Sequence, residues 1–219
     1  MKKFFMLAVA AVLCMPATFA QNQKALDKAL QKEFKLKKKE LSKGNWELFG
    51  SSRSLDVALL KHYDKLNATD GDDVYEIMGT VTKTKSKNIG HQACLTNAQV
   101  YYAQMAGAEI KGRIVKDMAS NDIDTDSEFD HFYAAYESLV EKEIKGELQE
   151  SFSVIRQNND GTFEIQAYYV LSESAATRAR IRAYENAMKE SEAAQRYAKK
   201  VSDFVREGFN ASGKADSAE

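Results

Sequence analysis

Apolar residues recur along this chain at spacings of three and four in some segments and of two in others. Spacings of three and four predict amphipathic helices, and alternation predicts strands. Helices are predicted over residues 22–42, 55–66, 89–118 and 125–148 and from Ser172 to about Phe209. Strands are predicted over Val74–Thr84, around Phe152 and Val154, and over Phe163–Leu171, and the short apolar stretch Trp46–Phe49 also suits a strand.

The segment from Ile89 to Met118 is the most informative part of the pattern. Two adjacent apolar stripes run along it, which indicates a helix buried over a wide arc. After a second helix the period changes to two, and Asn158-Asn159-Asp160-Gly161 supplies a hairpin turn. The order predicts an α+β fold: a small antiparallel sheet packed by a long central helix and a second helix, with N- and C-terminal flanking helices.

The first twenty residues have the three regions of a secretory signal peptide. Lys2 and Lys3 precede the apolar run Phe4–Cys14, and a small-x-small ending predicts cleavage between Ala20 and Gln21. The run is shorter than the ~20 residues that a spanning helix needs. We therefore expect an exported soluble protein, either periplasmic or associated with the outer membrane or extracellular. Cys14 leaves lipidation as the alternative, although Leu13 replaces the small residue usual before an acylated cysteine.

Beyond the signal peptide at 1–20, the pattern divides the chain into four segments. The stripe of the last helix, which includes Ala176, Ala183 and Ala187, is too weak to be buried without a second helix from this chain or a partner. We therefore expect this helix to contact a protein partner or to self-associate. The segments are a basic N-terminal helical segment (21–71), an α+β core domain (72–175), a long C-terminal helix (176–210) and a disordered tail (211–219).

Charge and cysteine content narrow the possible functions. The chain has 31 basic and 32 acidic residues, a balance that argues against a nucleic-acid partner. Cleavage of the leader removes Cys14, so that Cys94 is alone and no internal disulfide forms. The N-terminal helix is lysine-rich over residues 24–43, which allows contact with an anionic membrane surface, docking on an acidic partner, or simple solvation.

The candidate chemical groups do not form a recognisable constellation. Asp122, Asp124, Asp126 and Glu128 alternate in an acidic loop, but the positions for the glycine and the final glutamate of a calcium loop hold Ser127 and Tyr133. His91 and Cys94 supply two metal ligands where a structural zinc site needs four. An enzyme would need a cleft that gathers His62, His91 or His131 with an acid and a nucleophile. We predict no catalytic residue, no metal site and no cofactor.

Several of these segments resemble a known family. Val74-Tyr75-Glu76-Ile77-Met78-Gly79 leads into the alanine-spaced helix Ala93–Val115, and the hairpin Ser153–Leu171 follows a second helix. Over residues 72–175 this arrangement resembles the LPP-twenty-like envelope lipoproteins, which are similar to the N-terminal domain of the flagellar T-ring accessory proteins. The resemblance implies a small α+β domain, a place in the envelope and a role in surface structure or assembly, without catalytic residues.

These observations predict a non-enzymatic exported cell-envelope protein that acts through protein–protein contacts. The alternative is a small-ligand-binding protein with a tyrosine-lined pocket between the sheet and the central helix. The tyrosines that such a pocket would use are Tyr101, Tyr102, Tyr133, Tyr136, Tyr168 and Tyr169.

Overall fold

The computed structural model describes residues 15–67, 73–118, 125–196 and 198–207, with the side chains of the first helix described from Lys28 onward. In chain order the helices and strands of its first half are α1 (Met15–Lys43), β1 (Glu47–Phe49), α2 (Leu55–Leu66), β2 (Val74–Thr84) and α3 (Lys87–Met118). The second half contains α4 (Thr125–Ile144), β3 (Gln149–Gln157), β4 (Phe163–Ser172), α5 (Glu173–Ala187), α6 (Glu192–Arg196) and α7 (Ala198–Glu207). A short 3₁₀ turn, Met188–Glu190, separates α5 from α6.

The strands form one antiparallel sheet in the order β1-β3-β4-β2, which confirms the predicted α+β class. The β3–β4 hairpin turns at Gly161, whose φ is +80°. Asp160 Oδ1 accepts a hydrogen bond from the Thr162 amide at 3.0 Å and so stabilises the turn. Because β1 pairs with β3, the predicted segments 21–71 and 72–175 share one sheet.

One side of the sheet, the α3 face, carries the larger core. It includes Ile77, Ala167 and Tyr169, and it is covered by α3, α4 and the helices that follow β4. The backbone of α3 approaches β2 very closely at Gly79, where an added Cβ would overlap the Cys94 carbonyl oxygen. The absence of a side chain at Gly79 therefore allows the backbone of α3 to lie against the strand.

The other side, the α1 face, is covered by α1 and α2. Ser54 caps α2 by accepting a hydrogen bond from the Val57 amide at 3.4 Å. The two helices pack on the sheet through a smaller cluster of buried residues. It consists of Leu41, Ala58, Leu59, Phe152, Val154 and Tyr168.

The prediction of one long C-terminal helix over 176–210 is wrong within the described part of that segment. The chain leaves α5 through the 3₁₀ turn and is extended at Ser191 (φ −145°, ψ 122°). Ser191 Oγ then accepts a hydrogen bond from the Ala194 amide at 3.2 Å, which starts α6. The predicted alanine stripe is buried, but it packs within this chain, in the core on the α3 face.

A buried arginine fixes the C-terminal helices on that core. Arg180 of α5 is only 2% exposed, and its guanidinium donates to the Tyr102 hydroxyl of α3 at 2.7 Å and to the Val205 carbonyl of α7 at 3.2 Å. It also forms an ion pair with Glu173 at 2.5 Å. Because three helices meet at one buried cation, this segment has an extensive intramolecular role, and its contact with a partner stays a prediction.

Candidate functional site

Some of the predicted positions fall outside the described side chains. Asp122, Asp124, Asp126 and Glu128 of the acidic loop are among these, as are Ala20 and Gln21 at the predicted cleavage site. The tail 211–219 likewise lies outside the described residues. No helix in the described ranges is both long enough and apolar enough to cross a membrane.

Cys94 and His91 do not point to a common ligand. The Cys94 thiol is fully buried and donates to the Ile165 carbonyl at 3.4 Å. Loss of hydration on burial raises the pKa of this thiol to about 11, which makes it a poor ligand and a poor nucleophile near neutral pH. Among the described residues, no group of three or more His, Cys, Asp or Glu side chains is arranged to hold a metal ion.

The six tyrosines do not line one pocket. Tyr102, Tyr133, Tyr136 and Tyr169 belong to the core on the α3 face, whereas Tyr168 belongs to the cluster on the α1 face. Tyr101 is 53% exposed on α3. The proposed tyrosine-lined pocket between sheet and central helix therefore has no counterpart in the positions of these side chains.

The other two histidines lie in different surroundings. His62 of α2 is buried among the rings of Tyr63, Phe152 and Tyr168, and its Nε2 lies 2.5 Å from Oε2 of Glu76 on β2. This pair joins α2 to the edge strand. His131 is exposed on α4.

His91 lies within hydrogen-bond distance of both a carboxylate and a hydroxyl group. Its Nε2 lies 3.0 Å from Glu150 Oε1 and 3.1 Å from Ser153 Oγ, and its ring packs on Phe49 with the centroids 5.2 Å apart. Ser153 Oγ in turn donates to Glu150 Oε1 at 2.5 Å. We call this group of three side chains the His91 cluster.

The His91 cluster has the residue types of a hydrolytic triad but not its connectivity. In a triad the serine and the acid contact opposite nitrogens of the imidazole, so that the ring can take the serine proton. Here both contact Nε2, and the Ser153 hydroxyl donates to Glu150. Ser153 is also only 1% exposed. This arrangement fixes the Glu150 carboxylate and does not present a nucleophile.

Next to this cluster is a cavity of about 220 Å³, which we call the β1 cavity. It lies where β1 ends, between β3, α2 and the loop that joins β1 to α2. Its walls combine apolar, hydroxyl and charged groups: Leu48, Phe49, Gly50, Ser51, Arg53, Ala58, Lys61, Glu150, Ser151, Phe152 and Ser153.

A second candidate surface lies on the outer side of α1. Five lysines follow each other at intervals of four, three, four and four residues, which places them on one side of the helix. All five are exposed, and none forms an ion pair with a residue that the structure describes. We call them the lysine stripe: Lys28, Lys32, Lys35, Lys39 and Lys43.

The sequence indicated the lysine-rich helix but not the His91 cluster. His91 is 59 residues from Glu150 and 62 from Ser153, so no local spacing brings them together. No protein-family model, curated protein or solved structure matches this chain. The resemblance to the LPP-twenty-like family therefore stays a prediction.

Proposed function

We propose that this protein is a non-enzymatic, exported cell-envelope protein that acts by contact with an acidic partner protein, and that the lysine stripe is its contact surface. The observation that carries the proposal is the uninterrupted row of five exposed lysines on a helix whose opposite side is anchored in the fold. The apolar leader at 1–20 supports export.

Helix α1 is held in a fixed orientation, so that the stripe has a defined direction. Leu41 is fully buried on its inner side, and Lys37 Nζ lies 5.0 Å from the centre of the Tyr168 ring. Lys38 Nζ forms an ion pair with Asp56 of α2 at 2.6 Å. A helix that is held in place favours recognition of a complementary surface, because the backbone that carries the lysines loses little freedom on binding.

The geometry favours an acidic protein over a membrane as the partner. A helix that lies on a bilayer inserts its apolar side into the interface. In α1 that side, with Phe34 and Leu41, already packs on the sheet cluster. Among the described side chains of α1, Leu36 is the large apolar one that is mostly exposed, at 57%, and it lies beside the stripe. The stripe therefore supplies charge complementarity, which sets the partner and the association rate.

The binding test compares two triple variants with the same loss of charge. The first replaces Lys32, Lys35 and Lys39 by Gln, and the control replaces the exposed Lys65, Lys85 and Lys199. Poly-L-glutamate serves as the acidic polypeptide, with fluorescence anisotropy at low and physiological salt as the readout. We expect the stripe variant to bind at least tenfold more weakly and the control less than twofold. Equal losses in both variants would show that only net charge matters and would refute the stripe.

A parallel titration with phosphatidylglycerol vesicles distinguishes the two classes of partner. We expect weak binding that the two triple variants reduce equally. Stripe-dependent binding to vesicles that exceeds the binding to poly-L-glutamate would assign the surface to membranes and contradict the acidic-protein proposal.

Export is tested by the intact mass of the protein isolated from its native cells. Cleavage after Ala20 gives a chain that begins at Gln21, and this is the expected mass. A mass that corresponds to acylation at Cys14 would identify a lipoprotein, and a retained leader would contradict export by this route.

A further inference from the structure

The β1 cavity occupies a gap at the edge of the sheet. β1 pairs with Ser153, Val154 and Ile155 only, and β3 continues from there to Gln149 without a described strand on that side. The register of β3 shifts between Glu150 and Phe152, so that Ser151 is an extra residue in the strand. Bulges of this kind change the direction of neighbouring side chains, and they recur beside binding sites.

One wall of the cavity carries a fixed negative charge. Oε1 of Glu150 accepts from Ser153 Oγ at 2.5 Å and contacts His91 Nε2 at 3.0 Å. Phe49 packs on the His91 ring and limits its movement. Both polar contacts use the same carboxylate oxygen, so that Oε2 is left to interact with a group in the cavity. A carboxylate that is already oriented binds a cation with little loss of side-chain freedom.

The other wall carries positive charge from two elements. Arg53 belongs to the loop after β1 and Lys61 to α2, and both line the cavity. Neither side chain forms an ion pair with a residue in the described ranges. A cavity that is lined by two cations and a fixed carboxylate matches a ligand that has both an anionic and a cationic end.

The cavity also has an apolar part. Leu48, Phe49 and Phe152 belong to its lining, beside Glu150 and Lys61. A ligand whose charged ends meet the polar groups can therefore place an apolar side chain against these three residues.

We propose that the β1 cavity binds a free α-amino acid with an aliphatic side chain. Its ammonium group binds Glu150, and its carboxylate binds Arg53 and Lys61. Its side chain packs on Phe152 and the neighbouring apolar wall. This site lies on a different surface from the lysine stripe, and the two proposals can fail separately.

The first experiment varies the ligand. Isothermal titration calorimetry with the full chain compares L-leucine with 4-methylpentanoate, which lacks the ammonium group, and with 3-methylbutylamine, which lacks the carboxylate. We expect saturable binding of L-leucine with a Kd of about 1 mM or below. Each analogue should bind at least tenfold more weakly. Equal affinity of L-leucine and either analogue, or no saturable binding of L-leucine, would overturn the proposal.

The second experiment varies the protein. Glu150→Gln should weaken L-leucine at least tenfold without changing the weak binding of 4-methylpentanoate. Arg53→Gln should weaken both L-leucine and 4-methylpentanoate, and because Arg53 is exposed this variant retains the fold. Lys65→Gln, on the same helix as Lys61 but outside the cavity, is the control and should leave L-leucine binding unchanged. Full L-leucine affinity in both the Glu150 and Arg53 variants would refute the site.

Discussion

The two faces of the sheet are built by different means. On the α3 face, Gly79 of β2 allows the backbone of α3 to touch that strand, and a buried arginine joins α3, α5 and α7. On the α1 face, a smaller cluster combines aromatic rings with polar groups, as in the stacked rings of Phe152 and Tyr168, whose centroids lie 4.4 Å apart. The first face holds the larger core, and the second holds the smaller cluster.

This difference bears on the two candidate binding surfaces. The lysine stripe lies on α1, which belongs to the layer on the α1 face. The β1 cavity lies at the edge of the sheet and takes its walls from both sides, because α2 supplies Lys61 and His91 of α3 holds Glu150. Loss of the layer on the α1 face should therefore affect the lysine stripe first, whereas changes in the larger core should affect the whole fold.

The largest effect should come from the contact between α3 and β2. Gly79→Ala places a methyl group onto the Cys94 carbonyl, and a backbone atom cannot move aside as a flexible side chain can. We expect a loss of about 5 kcal/mol or more in the free energy of unfolding, comparable to the total stability of many domains. Urea denaturation followed by circular dichroism measures it, and aggregation on expression is the extreme form of the same result.

The control is Gly112→Ala on the exposed side of α3. Nothing lies within 4 Å of the position that its Cβ would take. Alanine is favoured over glycine in a helix by about 1 kcal/mol. We therefore expect a small gain in stability. Similar losses in both variants would show that the backbone of α3 does not lie against β2 at Gly79.

The buried arginine gives the next largest effect. Arg180→Met removes the donors to Tyr102 and Val205 and leaves the Glu173 carboxylate without its cation. Breaking a buried ion pair from one side costs about 3–5 kcal/mol. We expect a loss of this size in the free energy of unfolding, together with faster amide exchange in α7.

Arg178→Met is the control for the same helix. Arg178 pairs with Glu147 at 3.2 Å, but its side chain is 58% exposed. Exposed pairs contribute about 0–1 kcal/mol. A loss in this variant that equals the loss in Arg180→Met would mean that burial does not distinguish the two arginines, and the C-terminal helices would be less firmly fixed than the structure indicates.

A change on the α1 face should remain local. Leu41→Ala removes a fully buried side chain that anchors α1, at a cost of about 2–4 kcal/mol to its docking. Hydrogen exchange monitored by mass spectrometry should show faster exchange over 28–43 and little change over 163–172. Faster exchange throughout the sheet would show that the two faces unfold as one unit.

The sequence predicted the elements whose signals are local. Ser54 precedes α2 as a cap, and β2 contains a β-branched run, and both elements span the predicted residues. Tyr168 and Val170 alternate with core residues in β4, which is typical of a strand covered on both faces, and Tyr168 lies in the cluster on the α1 face.

The break in the C-terminal helix was missed because the apolar period continues across it. Ala187, Ala194 and Val201 are seven residues apart and are all buried, so that periodicity alone does not reveal the extended residue at Ser191. The capping preference of serine was the available signal. The His91 cluster gave no such signal, because it depends on how α3 crosses β3.

The smallest predicted effect concerns Cys94, which is buried on the α3 face. Burial raises the pKa of the Cys94 thiol from 9.0 to about 11, so that the folded chain keeps this proton over a pH range in which the unfolded chain loses it. The contribution of this thiol to stability should therefore be constant well below pH 9 and should fall as the pH rises from 9 towards 11, by at most about 1.4 kcal/mol per pH unit. Urea unfolding of the wild type and Cys94→Ala at several pH values isolates this contribution from that of the buried tyrosines. The wild type should lose more stability per pH unit than the variant. Parallel pH dependence in the two proteins would mean that the thiol is hydrated, and that α3 is less tightly packed on the sheet than the contact at Gly79 requires.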